Sequence, residues 1–116
     1  MAFPSHAELE QLALEEIAEL PDEFRERIRN LGVVIEDDPP EGKAWLATYS
    51  GIPLTRQTAT RPWGWPNKIT IYRNQLMRIC GDDPESLARE MRHVIRHEIA
   101  HYFGISDERL IEIDRY

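Results

Sequence analysis

The chain has 116 residues and a formal net charge of −7, with 14 Lys and Arg against 21 Asp and Glu. This length fits one domain, and a hydrophobic content of 41% is too high for a disordered chain. No apolar stretch approaches the roughly 18 residues of a membrane helix, and the acidic N-terminus lacks the basic start of a signal peptide. From the length we expect a single domain over residues 1–116. Because the lone Cys80 cannot form an internal disulfide, we expect this domain to be cytoplasmic.

The charge is unevenly distributed along the chain. Residues 1–42 carry 12 acidic and 3 basic side chains, residues 43–81 carry 6 basic and no acidic ones, and residues 82–116 carry 9 acidic and 5 basic ones. The middle segment could be a basic sheet beside acidic helices. It could equally be a cleft wall kept free of carboxylates that would compete for a metal. Composition does not choose between these interpretations.

Two helices are predicted near the N-terminus. Ser5 and Glu8 have the spacing of a capping box, and apolar residues then recur at helical intervals up to Leu20. Pro21 suits the first turn of a second, short helix, which we expect to end at residues 30–32. Neither helix places an unusual residue on its apolar side, so both are interpreted as scaffold.

Three short strands are expected next. They are Val33–Glu36, Trp45–Tyr49 and Lys68–Arg73, each rich in β-branched or aromatic residues. The polar, proline-rich residues 55–67 between the last two indicate a loop. Residues 76–80 are expected to form a helical turn.

The longest predicted helix spans residues 84–103. Asp83 is its expected N-cap, and Gly104 is expected to end it. A short final helix is predicted to start at Ser106 or Asp107.

The long helix carries the pattern H-E-x-x-H, from His97 to His101. Residues i and i+4 lie on one face of a helix about one turn apart, so both imidazoles can reach one metal ion. Glu98 lies about 100° around the axis from His97. From there its carboxylate can reach a water at the metal without being a ligand.

Asp107 is the expected third ligand. In an unbroken helix it would lie about 9 Å beyond His101 and on another face, out of reach of the same ion. Gly104 can adopt the left-handed conformation that ends a helix, and the turned chain can then bring Asp107 back over the histidines. Two imidazoles and one carboxylate leave a fourth position open for water, as in catalytic zinc sites. The competing interpretation is an ordinary amphipathic helix with surface histidines.

The helix wheel places Glu98 within the apolar stripe, with His97 and His101 at its border. A carboxylate directed at the core is costly unless it has a partner or a task. His93 rotates toward solvent, and we expect it to be a surface residue or a support for a ligand, not a ligand itself. The stripe consists of Leu87, Met91, Val94, Ile95, Ile99 and Tyr102. The opposite side carries Arg89, Arg92 and Arg96.

With this motif the chain resembles the zincin metallopeptidases, most closely a family of short bacterial zinc metallopeptidases described as minimal zincins. The similar segments are residues 45–56, 66–73 and 97–110, within an overall resemblance over residues 33–114. The resemblance implies an α+β fold in which a small sheet of about three strands packs against an active-site helix, with helices at the N-terminus.

Carried over residue by residue, the resemblance implies that His97, His101 and Asp107 bind one zinc ion and that Glu98 is the general base. The implied reaction is hydrolysis of peptide bonds by a zinc-activated water. The substrate is then a peptide or protein. We expect no nucleic acid as a partner because the net charge is −7, and no membrane because the chain lacks a long apolar stretch.

The sequence does not decide which group donates a hydrogen bond to the oxyanion of the intermediate. Tyr49, Tyr72, Arg73 or a backbone N–H could do so. An exposed strand edge at residues 45–49 could hold an extended peptide by strand addition.

Two other functions compete with peptide hydrolysis. The chain could bind zinc and serve as a non-proteolytic interaction or regulatory module for a protein partner. Trp63 and Trp65 would suit a partner surface if they are exposed, and they could equally pack against the sheet. A metal-dependent nuclease is permitted by the basic, aromatic middle segment. Glu98 and the net charge of −7 speak against the nuclease.

Overall fold

The computed structural model describes residues 3–26, 28, 31–51 and 67–104. In these residues the chain forms a short helical N-terminal part, a mixed sheet and two further helices. In chain order the elements are α1 (His6–Ala18), α2 (Asp22–Arg25), β1 (Leu31–Glu36), β2 (Ala47–Ser50), β3 (Asn67–Tyr72), α3 (Arg73–Cys80) and α4 (Pro84–Phe103).

The sheet has the order β1-β3-β2. β1 runs parallel to β3, with Leu31 opposite Asn67, and β2 runs antiparallel to β3, with Ala47 opposite Ile71. Within the described residues β3 is therefore the central strand and β2 lies at an edge. β3 is buried at every position except Lys68, as expected for a strand with neighbours on both sides.

The core lies between one face of the sheet and the helices. α1 packs against β1 and α4, while α4 also packs against β2 and α3. The largest fully buried apolar side chains come from α1, β3, α3 and α4. They are Leu9, Ile69, Ile71, Leu76, Met91, Ile95 and Tyr102. This arrangement confirms the predicted α+β class with a three-stranded sheet against a long helix.

Local capping sets the ends of the two main helices as predicted. The Glu8 N–H donates to Ser5 Oγ at 3.2 Å, and the Ser5 N–H donates to Glu8 Oε1 at 3.1 Å, which completes the capping box. The Asp83 carboxylate accepts from the Glu85 N–H at 3.1 Å at the start of α4. At its end Gly104 has φ 69° and ψ 26°, the left-handed conformation that glycine adopts without strain.

The expected end of the second helix was wrong. Helix α2 ends at Arg25, and Leu31 and Gly32 belong to β1. Their backbones pair with Asn67 and Lys68 of β3. This distant partner determines the boundary, so the local Leu-Gly signal for a helix end is overridden.

Further strand boundaries also differ from the prediction. β2 starts at Ala47 and ends at Ser50, two residues and one residue later than expected, and Arg73 is the first residue of α3 instead of the last of a strand. The expected helical turn at residues 76–80 is the last part of α3, a helix of 8 residues.

Other predictions lie outside the described residues: the loop up to residue 66 with Trp63 and Trp65, and the final helix with Asp107. Asn67, placed in that loop by the prediction, is the first residue of β3. None of the helices in the described part of the chain is both long and apolar enough to cross a membrane.

Candidate metal centre

Three potential metal-binding side chains lie together on α4. The Nε2 atoms of His97 and His101 are 3.3 Å apart, and the two ring centroids are 5.0 Å apart. With a Glu98 carboxylate oxygen, the potential ligand atoms all lie within 4.8 Å of one another. The four-residue spacing of the histidines therefore produces the cluster that the helical repeat predicts.

The separation of the two imidazole nitrogens fits a zinc ion. Two nitrogens that each lie about 2.0–2.1 Å from zinc at a tetrahedral angle are about 3.3–3.4 Å apart. The observed Nε2–Nε2 distance is 3.3 Å. His97 and His101 could hold the ion between them without a change in the helix, and imidazole nitrogen is a donor that zinc accepts readily.

Glu98 lies on the inner side of the cluster. Its residue is only 7% exposed, although it carries an ionisable carboxyl. Burial raises the pKa of this carboxyl above its ordinary value, and the nearby His101 partly offsets that increase. The apolar residues predicted to surround it on the helix, from Leu87 to Tyr102, are all buried. A carboxylate held at such a position is suited to exchanging protons with a ligand in the cleft.

The expected third ligand, Asp107, lies outside the described residues. The structure does describe the helix end that precedes Asp107 in the sequence. Helix α4 ends at Gly104, which has the left-handed conformation. This confirms the predicted helix end at Gly104, whereas the return of Asp107 to the histidines stays a prediction.

A cleft opens between α4 and the strand β2 and has two lobes. The first, which we call the His101 lobe, measures about 250 Å³ and is lined by Trp45, Ala47, Thr48, Tyr49, Glu98 and His101. The second, the His93 lobe, measures about 310 Å³. Its walls are residues 44–47 on the sheet side and His93, Val94, His97 and Glu98 on the helix side. Trp45, Ala47 and Glu98 border both lobes, so Glu98 lies where the lobes meet.

The end of β2 that lines the His101 lobe is held by side-chain and backbone packing. The Tyr49 hydroxyl donates to Asn67 Oδ1 at 2.8 Å, and the Tyr49 ring contacts Tyr102 edge to face. Gly51 has φ 143°, and a Cβ at this position would meet the Asn67 side chain and lie 3.0 Å from its Cα. Only glycine allows the chain to pass this close to β3.

The three side chains considered as oxyanion donors have different surroundings. Tyr49 lines the His101 lobe beside Glu98. The Tyr72 hydroxyl lies 3.2 Å from Thr48 Oγ1 and is not among the residues that line either lobe. The Arg73 guanidinium donates to the carbonyl oxygens of Pro4 and Phe3, at 2.8 and 3.4 Å. Arg73 therefore holds the N-terminal segment and is engaged away from the cleft.

The acid-free middle segment contributes to the cleft mainly through apolar and aromatic residues. Residues 44–49 line the lobes, whereas Lys68 and Arg78 are exposed on β3 and α3. The ammonium of Lys43 lies 5.4 Å from the centre of the Trp45 ring at the rim. A wall free of carboxylates is therefore present in this part of the cleft, but three of the four basic side chains in the described part of the segment, Lys68, Arg73 and Arg78, line neither lobe.

The sequence predicted the exposure of His93 but not its place in the cleft. It is exposed, as predicted, and its ring stacks against His97 with a centroid distance of 6.4 Å and an interplanar angle of 27°. It also lines the cleft next to the His97–His101 pair. Its spacing of four residues from His97 was the available signal, but which residues face it across the cleft depends on the packing of β2 against α4.

The chain was compared with known proteins. No curated protein matches it significantly. The family model described as zincin-like metallopeptidase matches residues 28–116, which is more than three quarters of the chain and includes the histidine pair, Glu98 and the sheet. The chain therefore belongs to the zincin-like metallopeptidase family.

Proposed function

We propose that this protein is a zinc-dependent peptidase that hydrolyses peptide bonds in the cleft between α4 and β2. The observation that carries the proposal is the His97–His101 pair at zinc-binding separation, next to a buried Glu98 where the two cleft lobes meet. Family membership supports the same reaction class.

The proposed ligands are His97, His101 and Asp107, which together would hold one zinc ion. Zinc bound by three protein side chains supplies a Lewis acid that polarises a carbonyl and lowers the pKa of a water to about 7. The 3.3 Å separation of the two Nε2 atoms supports the first two ligands. Asp107 is proposed from its spacing after Gly104 and from the resemblance.

Glu98 is the proposed general base and acid. Its carboxylate accepts a proton from the attacking water and then donates it to the nitrogen of the leaving amine. The buried position supports this role, because burial raises the pKa of Glu98 toward the range in which a carboxyl both accepts and releases a proton. Its location at the meeting point of the lobes gives it access to a peptide bond that crosses from one to the other.

The proposed holder of the substrate backbone is β2, which is an edge strand among the described residues. β2 pairs with β3 on one side and borders the cleft. An extended peptide that adds to the other side would be aligned by main-chain hydrogen bonds, which do not depend on its sequence. The side chains of such a peptide would then alternate between the cleft and solvent.

The test is the hydrolysis of a generic peptide library by zinc-loaded protein. We expect wild type to cleave peptides, chelation to abolish cleavage and added zinc to restore it. Glu98→Gln should retain zinc and lose at least about 100-fold in turnover, because general acid–base catalysis typically contributes about 10²–10⁴-fold. Glu90→Gln, on the same helix and outside the cleft lining, is the matched control and should remain active. Full turnover by Glu98→Gln would overturn the mechanism.

The competing function is a zinc-binding interaction or regulatory module without peptidase activity. The same library separates the two functions. A wild-type protein that binds zinc through His97 and His101 and cleaves nothing would favour the module. Chelator-sensitive cleavage that Glu98→Gln removes would decide against it.

A further inference from the structure

Trp45 is a large aromatic side chain left exposed at the functional cleft. It is 42% exposed and borders both lobes. The other large apolar side chains exposed on the described residues, Leu14, Val34, Met77 and Ile79, line neither lobe. An exposed apolar surface inside a concave site is the kind of surface that a ligand covers.

The backbone around Trp45 is fixed before any ligand arrives. The Tyr72 N–H donates to the Leu46 carbonyl at 3.0 Å, and the Lys43 N–H donates to the Pro40 carbonyl at 3.0 Å. The Lys43 ammonium lies over the indole, 5.4 Å from the ring centre. The two hydrogen bonds hold the backbone on either side of Trp45, and the cation–π contact engages its ring, so little ordering of this backbone is needed when a ligand binds.

The opposite wall of the His93 lobe comes from α4 and offers one apolar side chain and two rings. It consists of Val94, of the His93 and His97 rings, which stack on each other, and of Glu98 where the two lobes meet. The lobe volume of about 310 Å³ is at the lower end of the range of about 300–1,000 Å³ for small-molecule sites. A single side chain suits a space of this size better than a larger ligand does.

The charges around the His93 lobe disfavour a basic occupant. Glu98 is the carboxylate among the lining residues, and it is assigned to proton transfer. Residues 43–51 contain no Asp or Glu, and Lys43 adds a positive charge at the rim. A lysine or arginine side chain would therefore meet the Lys43 cation beside Trp45, and the carboxylate that it could pair with among the lining residues is the proposed general base, Glu98.

We infer that the His93 lobe is a specificity subsite that accepts an aromatic or large aliphatic substrate side chain next to the bond that is cleaved. This inference rests on the proposed peptidase function and adds its substrate class. Trp45 is the specificity-determining residue, because the substrate side chain packs on the exposed indole. His93 and Val94 form the opposite wall.

The inference predicts a preference among peptides that differ at one residue. In alanine-rich octapeptides with one central position varied, Phe and Leu should give kcat/KM about 10- to 100-fold above Ala, as expected for burial of a large apolar side chain. Lys and Asp should rank below Phe and Leu. A peptidase that cleaves the Lys or Asp peptide best would overturn the inference.

Substitutions test whether the preference for Phe over Ala depends on the residues of the His93 lobe. Trp45→Ala should reduce the Phe-to-Ala ratio of kcat/KM at least about tenfold, and Trp45→Phe should restore most of it. His93→Ala should reduce the ratio by several-fold. Ile79→Ala, an exposed apolar residue on α3 that is 56% exposed, should leave the ratio unchanged. Every variant should retain its zinc content, and a Trp45→Ala protein with the wild-type ratio would contradict the role of Trp45.

A binding measurement tests the subsite independently of the peptidase function. The same octapeptides, labelled with fluorescein, are titrated with zinc-loaded Glu98→Gln protein and followed by fluorescence anisotropy. Tighter binding of the Phe peptide that disappears in Glu98→Gln/Trp45→Ala supports the subsite even if wild type cleaves nothing. Equal binding of the Phe, Ala and Lys peptides overturns the subsite even if wild type is an active peptidase.

Discussion

Glu98 carries an ionisable carboxyl at a buried position, where its proposed catalytic role and the stability of the fold make opposite demands. Its carboxyl is buried among the apolar side chains of α4, and burial raises its pKa because the charged form is poorly solvated there. In zinc-free protein at neutral pH this charge opposes folding. The proposed chemistry needs a proton acceptor where the two cleft lobes meet, which is the buried position that Glu98 occupies. The loss of stability therefore follows from the proposed role.

Glu98→Gln should therefore stabilise the zinc-free protein. The amide has nearly the same shape and carries no charge, so the desolvation penalty of the buried carboxylate is removed. At pH 7 we expect the melting temperature of zinc-free Glu98→Gln to exceed that of zinc-free wild type by a few degrees, since about 1 kcal/mol corresponds to roughly 4–8 °C in a small domain. Calorimetry of both chelator-treated proteins measures the difference. A lower melting temperature for Glu98→Gln would show that the charged form is well accommodated.

At the scale of elements, the sequence predicted best those helix ends that are determined by neighbouring residues. The capping box at Ser5, the Asp83 N-cap and the stop at Gly104 depend on contacts within a few residues, and all three are present. The strand ends depend on pairing with distant residues. Leu31 and Gly32 extend β1 because Asn67 and Lys68 offer hydrogen bonds from 36 positions away, and no local pattern carries that information.

The candidate site divides in the same way. The His97, Glu98 and His101 cluster follows from the repeat of a single helix, so its geometry could be predicted from five consecutive residues. The cleft could be predicted only in outline, because its second wall comes from residues 44–49, about 50 positions earlier. That His93 faces Trp45 across a lobe depends on how β2 packs against α4, which periodicity alone does not specify.

The contact between α1 and α4 gives stability a pH dependence through Glu16. This half-buried carboxyl lies 3.7 Å from the Arg92 Nε. Burial, together with Glu19 and Glu15, raises its pKa above the ordinary value, while Arg92 and Arg96 lower it by less. The folded state thus holds the Glu16 proton more tightly than the unfolded state does, so this residue lowers the free energy of unfolding as pH rises through the window from the ordinary pKa to the raised one.

Glu16→Gln should remove that part of the pH dependence. Relative to wild type, the variant should gain stability between pH 4 and pH 7, by no more than about 1 kcal/mol for a partly exposed site. Urea unfolding at both pH values measures the change. Glu10→Gln, on the exposed side of the same helix, removes one charge without relieving any burial and is the control. A Glu16→Gln protein that loses stability relative to wild type as pH rises would contradict the assignment.

At the scale of the whole molecule, the described fold brings one helix and one edge strand together and builds the cleft between them. β3 is buried between its neighbours, and α1 and α4 cover one face of the sheet. This scaffold leaves β2 at the edge and places the histidines of α4 opposite it. Few elements are needed, since a single helix supplies both histidines and the proposed general base.

The most direct test of the account is the zinc content of protein purified without an affinity tag, measured by inductively coupled plasma mass spectrometry. We predict about one zinc per chain in wild type and in His93→Ala, and almost none in His97→Ala. Asp107→Ala should retain clearly less zinc than wild type. Wild-type protein without zinc after dialysis against zinc, or His97→Ala with as much zinc as wild type, would contradict the assignment of this cluster as the metal centre.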